Sequence, residues 1–484
     1  MSVRRSLAWS YTAQVLNFVV AFGSSVIIAR LVSPREFGIF AMAASISSFL
    51  ALVFGFGLSN LIVRDENMSK DRLRSILAVS SSYTIFLCAL LLASGLLAKY
   101  VFDSPDVGDF LLVYSIVPAV QMFELIPEAL CRRHMRFNTI SVVSVMKTTV
   151  TAASTTAFAW LGFKHMSFAY AGLLSVIASV ATYNLLYWRE TVYRPRLEGY
   201  RQILTFGLQM VSINGFGQLN NRISEMTLGS WLGLAALGLY SRASNLAGQL
   251  SSNVYGVATS VIFVKMSMDY REKGHFHDTY LRALRMLLAI VWPMMLGMAV
   301  LSRPFINLLY GEKWLGAALP LTFLMLALFV VLGIGMQWHV FVLRKETALQ
   351  TKLEAIRATA GLSMFAIGCL ISLPAAAAAR LGEGIVAYFL YRPHMDRLIG
   401  ISRGRLDRLY VECLALALAA VLPSLLLMLW SRFDAGTPLL LIFAAVTLGV
   451  VSWAALLVRL RHPVLEEVVA FWRRLRRSAG ASAA

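Results

Sequence analysis

The chain has 484 residues, of which 58% are hydrophobic and 14% are charged, and its mean hydropathy is +0.69. Soluble domains contain roughly 45–50% apolar and about 25% charged residues, so this composition excludes a water-soluble globular protein and equally a disordered or disulfide-rich one. The 44 lysines and arginines outnumber the 25 acidic residues, which gives a formal net charge of +19. This composition predicts a polytopic membrane protein. Its net positive charge reflects either an anionic partner or an excess of basic residues in cytoplasmic loops.

Fourteen apolar runs follow one another along the chain, each near the roughly 20 residues that cross a bilayer as a helix. They lie near residues 9–31, 38–63, 75–98, 110–131, 139–162, 167–188, 203–226, 236–264, 281–302, 319–343, 350–373, 375–391, 409–430 and 438–458. The first run has no cleavage-site pattern behind it and is expected to be a retained span. We therefore predict an all-α polytopic membrane protein with about 14 transmembrane helices.

Basic residues concentrate in alternate connections between these runs. With the N-terminus inside, about 32 basic residues lie on the inner side and about 7 on the outer side. Cytoplasmic loops carry such an excess, so both termini are predicted to be cytoplasmic. Topology then explains most of the net charge without a nucleic-acid partner. The basic tail at 461–484 is predicted to form an amphipathic helix held by anionic membrane lipids, and a merely solvated tail is the alternative.

An internal repeat has an offset of 200 residues. The stretch ARLVSPREFGIFAMA from Ala29 aligns with GSWLGLAALGLYSRA from Gly229, and Gly38 corresponds to Gly238. Both stretches fall at the first hairpin of a set of six predicted spans, which indicates two parallel six-helix repeats. The predicted domains are an N-terminal bundle at 1–200, a C-terminal bundle at 201–400, an extra helix pair at 401–460 and the tail at 461–484.

The sequence contains no motif of a phosphate-binding loop, a zinc protease or a nucleophile elbow. The longest outer connection, at 303–318, is about 15–17 residues. His275 and His277 offer two imidazoles without a third ligand beside them, which is too few for a zinc site. We therefore expect no enzymatic activity, no cofactor and no metal.

Polar and charged side chains inside apolar spans each cost roughly 2.5–3.5 kcal/mol at a helix centre, so they are expected to face a water-filled cavity. The candidates for substrate binding are cationic or amide side chains: Arg30, Lys147, Arg222, Arg242, Arg357, Gln14, Asn17, Asn220 and Asn221. The candidates for ion coupling are the acids Glu225, Glu124 and Glu128. Together they predict a cationic cavity between the repeats that suits phosphate or an acidic sugar.

A structural role for each of these charges remains an alternative. Glu124 or Glu128 could pair with Lys147 or with a neighbouring arginine, and Arg222 could pair with Glu225, simply to hold helices together. The sequence alone does not choose between pairing and substrate binding.

Three stretches resemble the bacterial polysaccharide transporters, which are lipid-linked oligosaccharide flippases of the multidrug/oligosaccharidyl-lipid/polysaccharide exporter superfamily. They are IIARLVSPREFGIFAMA at 27–43, LGSWLGLAALGLYSRASNLAG at 228–248 and LLYGEKW at 308–314. The resemblance extends to about residue 400. Relatives often have an aspartate in the seventh span, where this chain has Ser224 beside Glu225.

The resemblance implies that an undecaprenyl-diphosphate-linked oligosaccharide repeat unit crosses the membrane by alternating access, for exopolysaccharide, capsule or O-antigen synthesis. It also implies sodium or proton exchange as the driving force, membrane lipids around the protein, a lipid-tail groove at the last two spans, and a polymerase and export machinery as partners. The alternatives are a drug/cation antiporter of the same superfamily, a membrane-embedded glycan polymerase and a non-transporting scaffold.

Overall fold

A computed structural model describes residues 3–54, 58–65, 68–187, 194, 196, 216–401 and 403–466. All regular secondary structure in these ranges is helical. Eleven helical segments there are long and apolar enough to cross a membrane. The prediction of an all-α multi-pass membrane protein is thus confirmed, whereas the number of 14 spans stays a prediction.

The chain divides into an N-terminal unit, Met1–Gly238, and a C-terminal unit, Leu239–Ala484. The helices that begin in the N-terminal unit are α1 (Val3–Leu31), α2 (Pro34–Phe54), α3 (Leu58–Arg64), α4 (Lys70–Tyr100), α5 (Pro105–Tyr114), α6 (Val117–Arg133), α7 (Phe137–Trp160), α8 (Met166–Tyr187), α9 (Phe216–Leu232) and α10 (Leu234–Ser251). The predicted boundaries at 200, 400 and 460 stay predictions.

In the C-terminal unit, α10 continues into a π-helical turn, Ser252–Gly256. The following helices are α11 (Val257–Lys273), α12 (His277–Val300), α13 (Ser302–Tyr310), a 3-10 turn (Glu312–Ala317), α14 (Ala318–Ile334), α15 (Gln337–Leu343), α16 (Thr347–Ile371), α17 (Leu373–Ile399), α18 (Arg403–Trp430) and α19 (Leu439–Arg459). Most of the tail that was predicted to be an amphipathic helix, and most of the predicted span at 203–226, lie outside the described residues.

Two predicted spans are broken in the structure. The run at 110–131 divides into α5 and α6, and the run at 319–343 divides into α14 and α15. At the second break Gly335 has φ +41° and Met336 has φ +53°, both in the left-handed region. Hydropathy does not reveal these breaks because the residues on either side stay apolar.

Tyrosines bind the backbone at the break between α14 and α15. The Tyr410 hydroxyl donates to the Gly333 carbonyl at 2.9 Å, and the Tyr280 hydroxyl donates to the Ile334 carbonyl at 3.0 Å. The backbone N–H of Met336 donates to the Tyr255 hydroxyl at 2.6 Å. Non-helical backbone at membrane depth needs such partners because lipid offers none.

The two glycines that correspond in the repeat lie against each other in the N-terminal unit. A Cβ on Gly38 would lie 1.7 Å from the Leu234 carbonyl oxygen, and a Cβ on Gly238 would lie 1.9 Å from the Pro34 carbonyl oxygen. Pro34 and Leu234 are themselves related by the offset of 200 residues, so the contact is reciprocal. Helices α2 and α10 therefore begin in backbone contact that only glycine allows.

Candidate functional site

Glu124 anchors a polar cluster inside the N-terminal unit. Its carboxylate on α6 is buried and lies 3.0 Å from the Lys147 ammonium on α7. The Ser179 hydroxyl on α8 donates to the same oxygen, Glu124 Oε2, at 3.0 Å. Three helices are thus joined through one carboxylate, and the charge of Lys147 is balanced within the cluster.

A side-chain hydrogen bond joins α1 to α7. Asn17 Nδ2 donates to the Ser144 hydroxyl at 2.9 Å, and Asn17 is half-buried. Gln14 and Arg30 are exposed on the same helix. The Asn17 side chain is therefore oriented by a hydrogen bond, whereas the Gln14 side chain is exposed.

Helix α9 brings Arg222 and Glu225 together. Arg222 Nη1 lies 2.9 Å from Glu225 Oε2, and the Ser45 hydroxyl on α2 donates to that oxygen at 2.6 Å. Of the two amides before them, Asn220 is buried and Asn221 is exposed. The i,i+3 spacing lets the arginine and the glutamate meet on one face of the helix.

Arg357 lies in a network of four charged side chains in the C-terminal unit. It forms ion pairs with Glu354 on its own helix and with Glu383 on α17. Arg380 Nη1 lies 2.7 Å from Glu383 Oε2, and the Tyr391 hydroxyl donates to Glu354 Oε2 at 3.0 Å. Two guanidinium groups therefore face two carboxylates, and the network is neutral as a whole.

Sequence reasoning missed Arg380 and Glu383, although both lie in the predicted span at 375–391. The signal was present: the two residues form an i,i+3 pair of opposite charge in an otherwise apolar run. Glu383 and Arg380 are largely buried, so they carry the desolvation cost that marks an intramembrane charge.

Arg242 is buried against two aromatic rings of the outer connection. Its guanidinium carbon lies 4.9 Å from the ring centroid of Tyr310 and 4.9 Å from that of Trp314. Both rings are buried, and both belong to the LLYGEKW stretch that Gly311 turns with φ +88°. The stretch thus encloses a cation through cation–π contacts.

Glu128 forms an ion pair with Arg132 one turn later on α6, at 2.6 Å. The pair is partly exposed. The structure thus contains the pairings that the sequence left open, Glu124 with Lys147, Glu128 with Arg132 and Arg222 with Glu225. The assignment of these residues to substrate binding or ion coupling stays a prediction.

A cavity of about 300 Å³ with both polar and apolar lining residues lies in the N-terminal unit among α2, α4, α5 and α6. Hydroxyl groups dominate its polar lining, together with one amide and the two carboxylates of α6. These residues are Ser47, Ser48, Ser80, Tyr83, Thr84, Tyr114, Gln121, Glu124 and Glu128.

A second cavity, of about 350 Å³, lies in the C-terminal unit among α12, α18 and α19. Its lining is mostly aliphatic and sulfur-containing, and includes Ile290, Met294, Met298, Val421, Val450 and Trp453. Such a surface accommodates an apolar chain.

One cluster of potential metal ligands occurs in the part of the chain that the structure describes. The ligand atoms of His275, His277 and Asp278 lie within 4.8 Å of one another. Asp278 is thus a third ligand that the spacing of the histidines did not indicate. The cluster is largely exposed and lacks the enclosed geometry of a structural metal site, so we assign no metal to it.

The family model for polysaccharide biosynthesis proteins matches residues 27–319. A Klebsiella pneumoniae protein described as an uncharacterized membrane protein in the cps region is 24% identical over 323 residues, 64% of this chain and 65% of that protein. The succinoglycan biosynthesis transport protein ExoT of Rhizobium meliloti is 23% identical over 328 residues, 65% of this chain and 63% of that protein. The matched regions thus span just under two thirds of each relative.

The fold matches a solved structure of the lipid II flippase MurJ in an inward closed conformation. The TM-score is 0.74, with 97% of this chain and 99% of that chain covered at 14% identity, so the fold is shared. The resemblance noted in the three sequence stretches is confirmed. Since the family model covers more than half of its length, the chain belongs to the family of polysaccharide biosynthesis membrane proteins.

Proposed function

We propose that the protein is a transporter, not an enzyme, and moves an undecaprenyl-diphosphate-linked oligosaccharide repeat unit across the bacterial inner membrane by alternating access. Its family, the relative named as a succinoglycan transport protein and the fold shared with a lipid II flippase support this proposal. The observation in this chain that carries it is the set of charged side chains within apolar helices. Such residues are costly in a membrane and mark substrate or ion pathways.

The proposed contacts for the diphosphate and for acidic sugars are Arg30, Arg222, Arg242 and Arg357. A phosphate matches the planar fork of a guanidinium group with two parallel hydrogen bonds. In this scheme the diphosphate replaces the carboxylates that now accept from Arg222 and Arg357. Gln14, Asn17, Asn220 and Asn221 are the proposed donors and acceptors for sugar hydroxyls.

The apolar cavity among α12, α18 and α19 is the proposed path for the polyprenyl tail. Its aliphatic lining supports this role, because a hydrocarbon chain needs no polar partners. We further propose that sodium or proton exchange drives transport with Glu225, Glu124 and Glu128 as the coupling acids, and that a polysaccharide polymerase and export machinery are the partners.

The test is a deletion strain complemented with variants of the protein. The deletion is expected to accumulate inner-leaflet lipid-linked oligosaccharide and to lose surface glycan. Arg357→Gln is expected to restore less than a tenth of the export that the unchanged protein restores. Arg397→Gln is the matched control because its side chain is 59% exposed on the neighbouring helix. Protein amounts in the membrane are measured for every variant.

A deletion strain with a normal lipid-linked pool and normal surface glycan would contradict the proposal. An altered drug-resistance profile in that strain would instead favour the drug/cation antiporter. Normal export by Arg357→Gln would show that this arginine has no role in binding the substrate.

A further inference from the structure

The cavity among α2, α4, α5 and α6 contains hydroxyl and amide groups to which the proposed transport path assigns no role. We propose that it is a subsite for one sugar ring of the transported oligosaccharide, a role that rests on the proposed function. The residues that carry the proposal are Ser47, Ser80, Tyr83, Gln121 and Glu124, all of which line the cavity. Of these, only Glu124 was predicted to have a functional role, and that role was ion coupling.

Ser47 provides a buried hydroxyl that lacks a partner in the described structure. The residue is 8% exposed, and its Oγ has no hydrogen-bond partner among the described residues. By contrast, the Ser45 hydroxyl on the same helix lies within hydrogen-bond distance of two acceptors, the Ala41 carbonyl at 2.7 Å and the Glu225 carboxylate at 2.6 Å. Because a buried hydroxyl without a partner is costly, Ser47 favours a ligand that brings its own hydrogen-bonding groups.

The charges around the cavity are balanced without a ligand, which suits a neutral sugar ring. Glu124 accepts from Lys147 and Ser179, and Glu128 accepts from Arg132. Each carboxylate thus has a cationic partner. Carboxylate oxygens accept several hydrogen bonds each, so both acids retain capacity for the hydroxyls of a polyol.

The remaining lining matches the two kinds of surface that a pyranose ring presents. Tyr83 and Tyr114 supply aromatic rings, and Leu87 and Leu91 supply an apolar wall, which suit the C–H faces of a sugar. Hydroxyls and the Gln121 amide suit its hydroxyl edge. The volume of about 300 Å³ equals that of about ten liquid waters, enough for one ring but not for an oligosaccharide.

The experiment is saturation-transfer difference NMR on the full-length protein in phospholipid nanodiscs, free of glycoside detergents. The probes are glucose, galactose, mannose, rhamnose and N-acetylglucosamine. At least one is expected to give a signal that is lost in Ser80→Phe, which fills the cavity. Ser82→Phe is the matched control, since Ser82 is exposed two residues further along the same helix, and it is expected to keep the signal. Ser47→Ala is expected to weaken binding about fivefold, the effect of one neutral hydrogen bond.

Gln121→Ala provides a second test if Ser80→Phe does not fold, because Gln121 is exposed and its truncation creates no crowding. The proposal is wrong if no sugar gives a signal, or if the signal persists in both cavity variants. Sugar binding combined with normal export by Ser80→Phe would assign the cavity to a free saccharide and overturn the link to the transported oligosaccharide. Export that depends on the protein without any sugar signal would overturn the subsite alone and leave the proposed function intact.

Discussion

Intramembrane charges of this protein form ion pairs of two kinds. Some pairs join two helices, and others join residues one turn apart on the same helix. Lys147 contacts Glu124 across two helices, whereas Arg222 contacts Glu225 within one helix. Breaking a buried pair costs more than the pair contributes, since the remaining charge has lost its partner in a poorly solvated place. Loss of a single partner is therefore the more damaging change.

We expect Lys147→Met to destabilise the protein by about 2 kcal/mol, which is below the roughly 3–5 kcal/mol of fully buried pairs because the Lys147 side chain is 31% exposed. The double variant Lys147→Met with Glu124→Gln is expected to recover at least half of that loss. Thermal unfolding in detergent measures both values. Lys99→Met is the control and is expected to have a smaller effect, because its partner Asp109 is 49% exposed whereas Glu124 is 10% exposed. Equal losses in the single and double variants would contradict this account.

His462 is a buried imidazole just beyond the end of α19. Burial, together with the nearby charge of Arg285, lowers the pKa of His462 to about 4. The unfolded chain, whose histidine pKa is about 6.5, takes up the proton first as pH falls. The stability that neutral His462 contributes is thus complete above about pH 6.5 and is lost towards pH 4.

We expect the unfolding temperature to fall between pH 7.5 and pH 5 by less in His462→Asn than in the unchanged protein. His134→Asn is the control, since His134 is exposed just beyond the end of α6. The same acid sensitivity in the unchanged protein and in His462→Asn would rule out this residue as its source.

At the scale of helices, hydropathy predicted where apolar segments lie but not where they bend. The run at 319–343 reads as one span, yet α14 ends at Ile334 and α15 begins at Gln337. The break is stabilised by hydroxyls from distant helices, and no local pattern encodes such contacts. In the same way, the reciprocal glycines were visible as a repeat, but their backbone contact was not.

We expect Gly38→Ala to destabilise the protein by about 1–3 kcal/mol, because the added methyl group overlaps the Leu234 carbonyl and forces α2 away. Gly23→Ala is the control, since a Cβ at that position meets nothing within 4 Å. Thermal unfolding of both variants provides the comparison. Unchanged stability of Gly38→Ala would show that α2 and α10 are not tightly apposed at this point.

The candidate site was predictable in its residue types but not in its partners. Arg357 was recognised as an intramembrane cation, whereas the carboxylate of Glu383 that it contacts was not. The cavity among α2, α4, α5 and α6 could not be predicted from the sequence. Its residues Ser47, Ser80 and Gln121 come from three helices and are scattered along the chain. Only tertiary packing places them around one volume.

At the scale of the whole molecule, the net charge of +19 is best understood as an orientation signal. Basic residues concentrate in alternate connections between the predicted spans. Arg64 in the last turn of α3 and Arg133 in the last turn of α6 are examples. The positive-inside rule then predicts that both termini are cytoplasmic.

Fusions test this orientation directly. Green fluorescent protein at the C-terminus is expected to fluoresce, and alkaline phosphatase inserted after Lys313 is expected to be active because that turn is predicted to lie outside. Insertion of alkaline phosphatase after Gly274 serves as the inner control and is expected to be inactive. Activity at Gly274 with none at Lys313 would reverse the predicted topology.

The break between α14 and α15 also constrains motion. The carbonyls of Ile334 and Gly333 accept hydrogen bonds from hydroxyls on α12 and α18. The backbone N–H of Met336 donates to Tyr255 in the π-helical turn. If one of these segments moved alone, backbone N–H or C=O groups would lose their hydrogen bonds at a depth where no solvent can replace them. In the proposed transport cycle we therefore expect these segments to move together, and we expect the conformational change to occur in other parts of the chain.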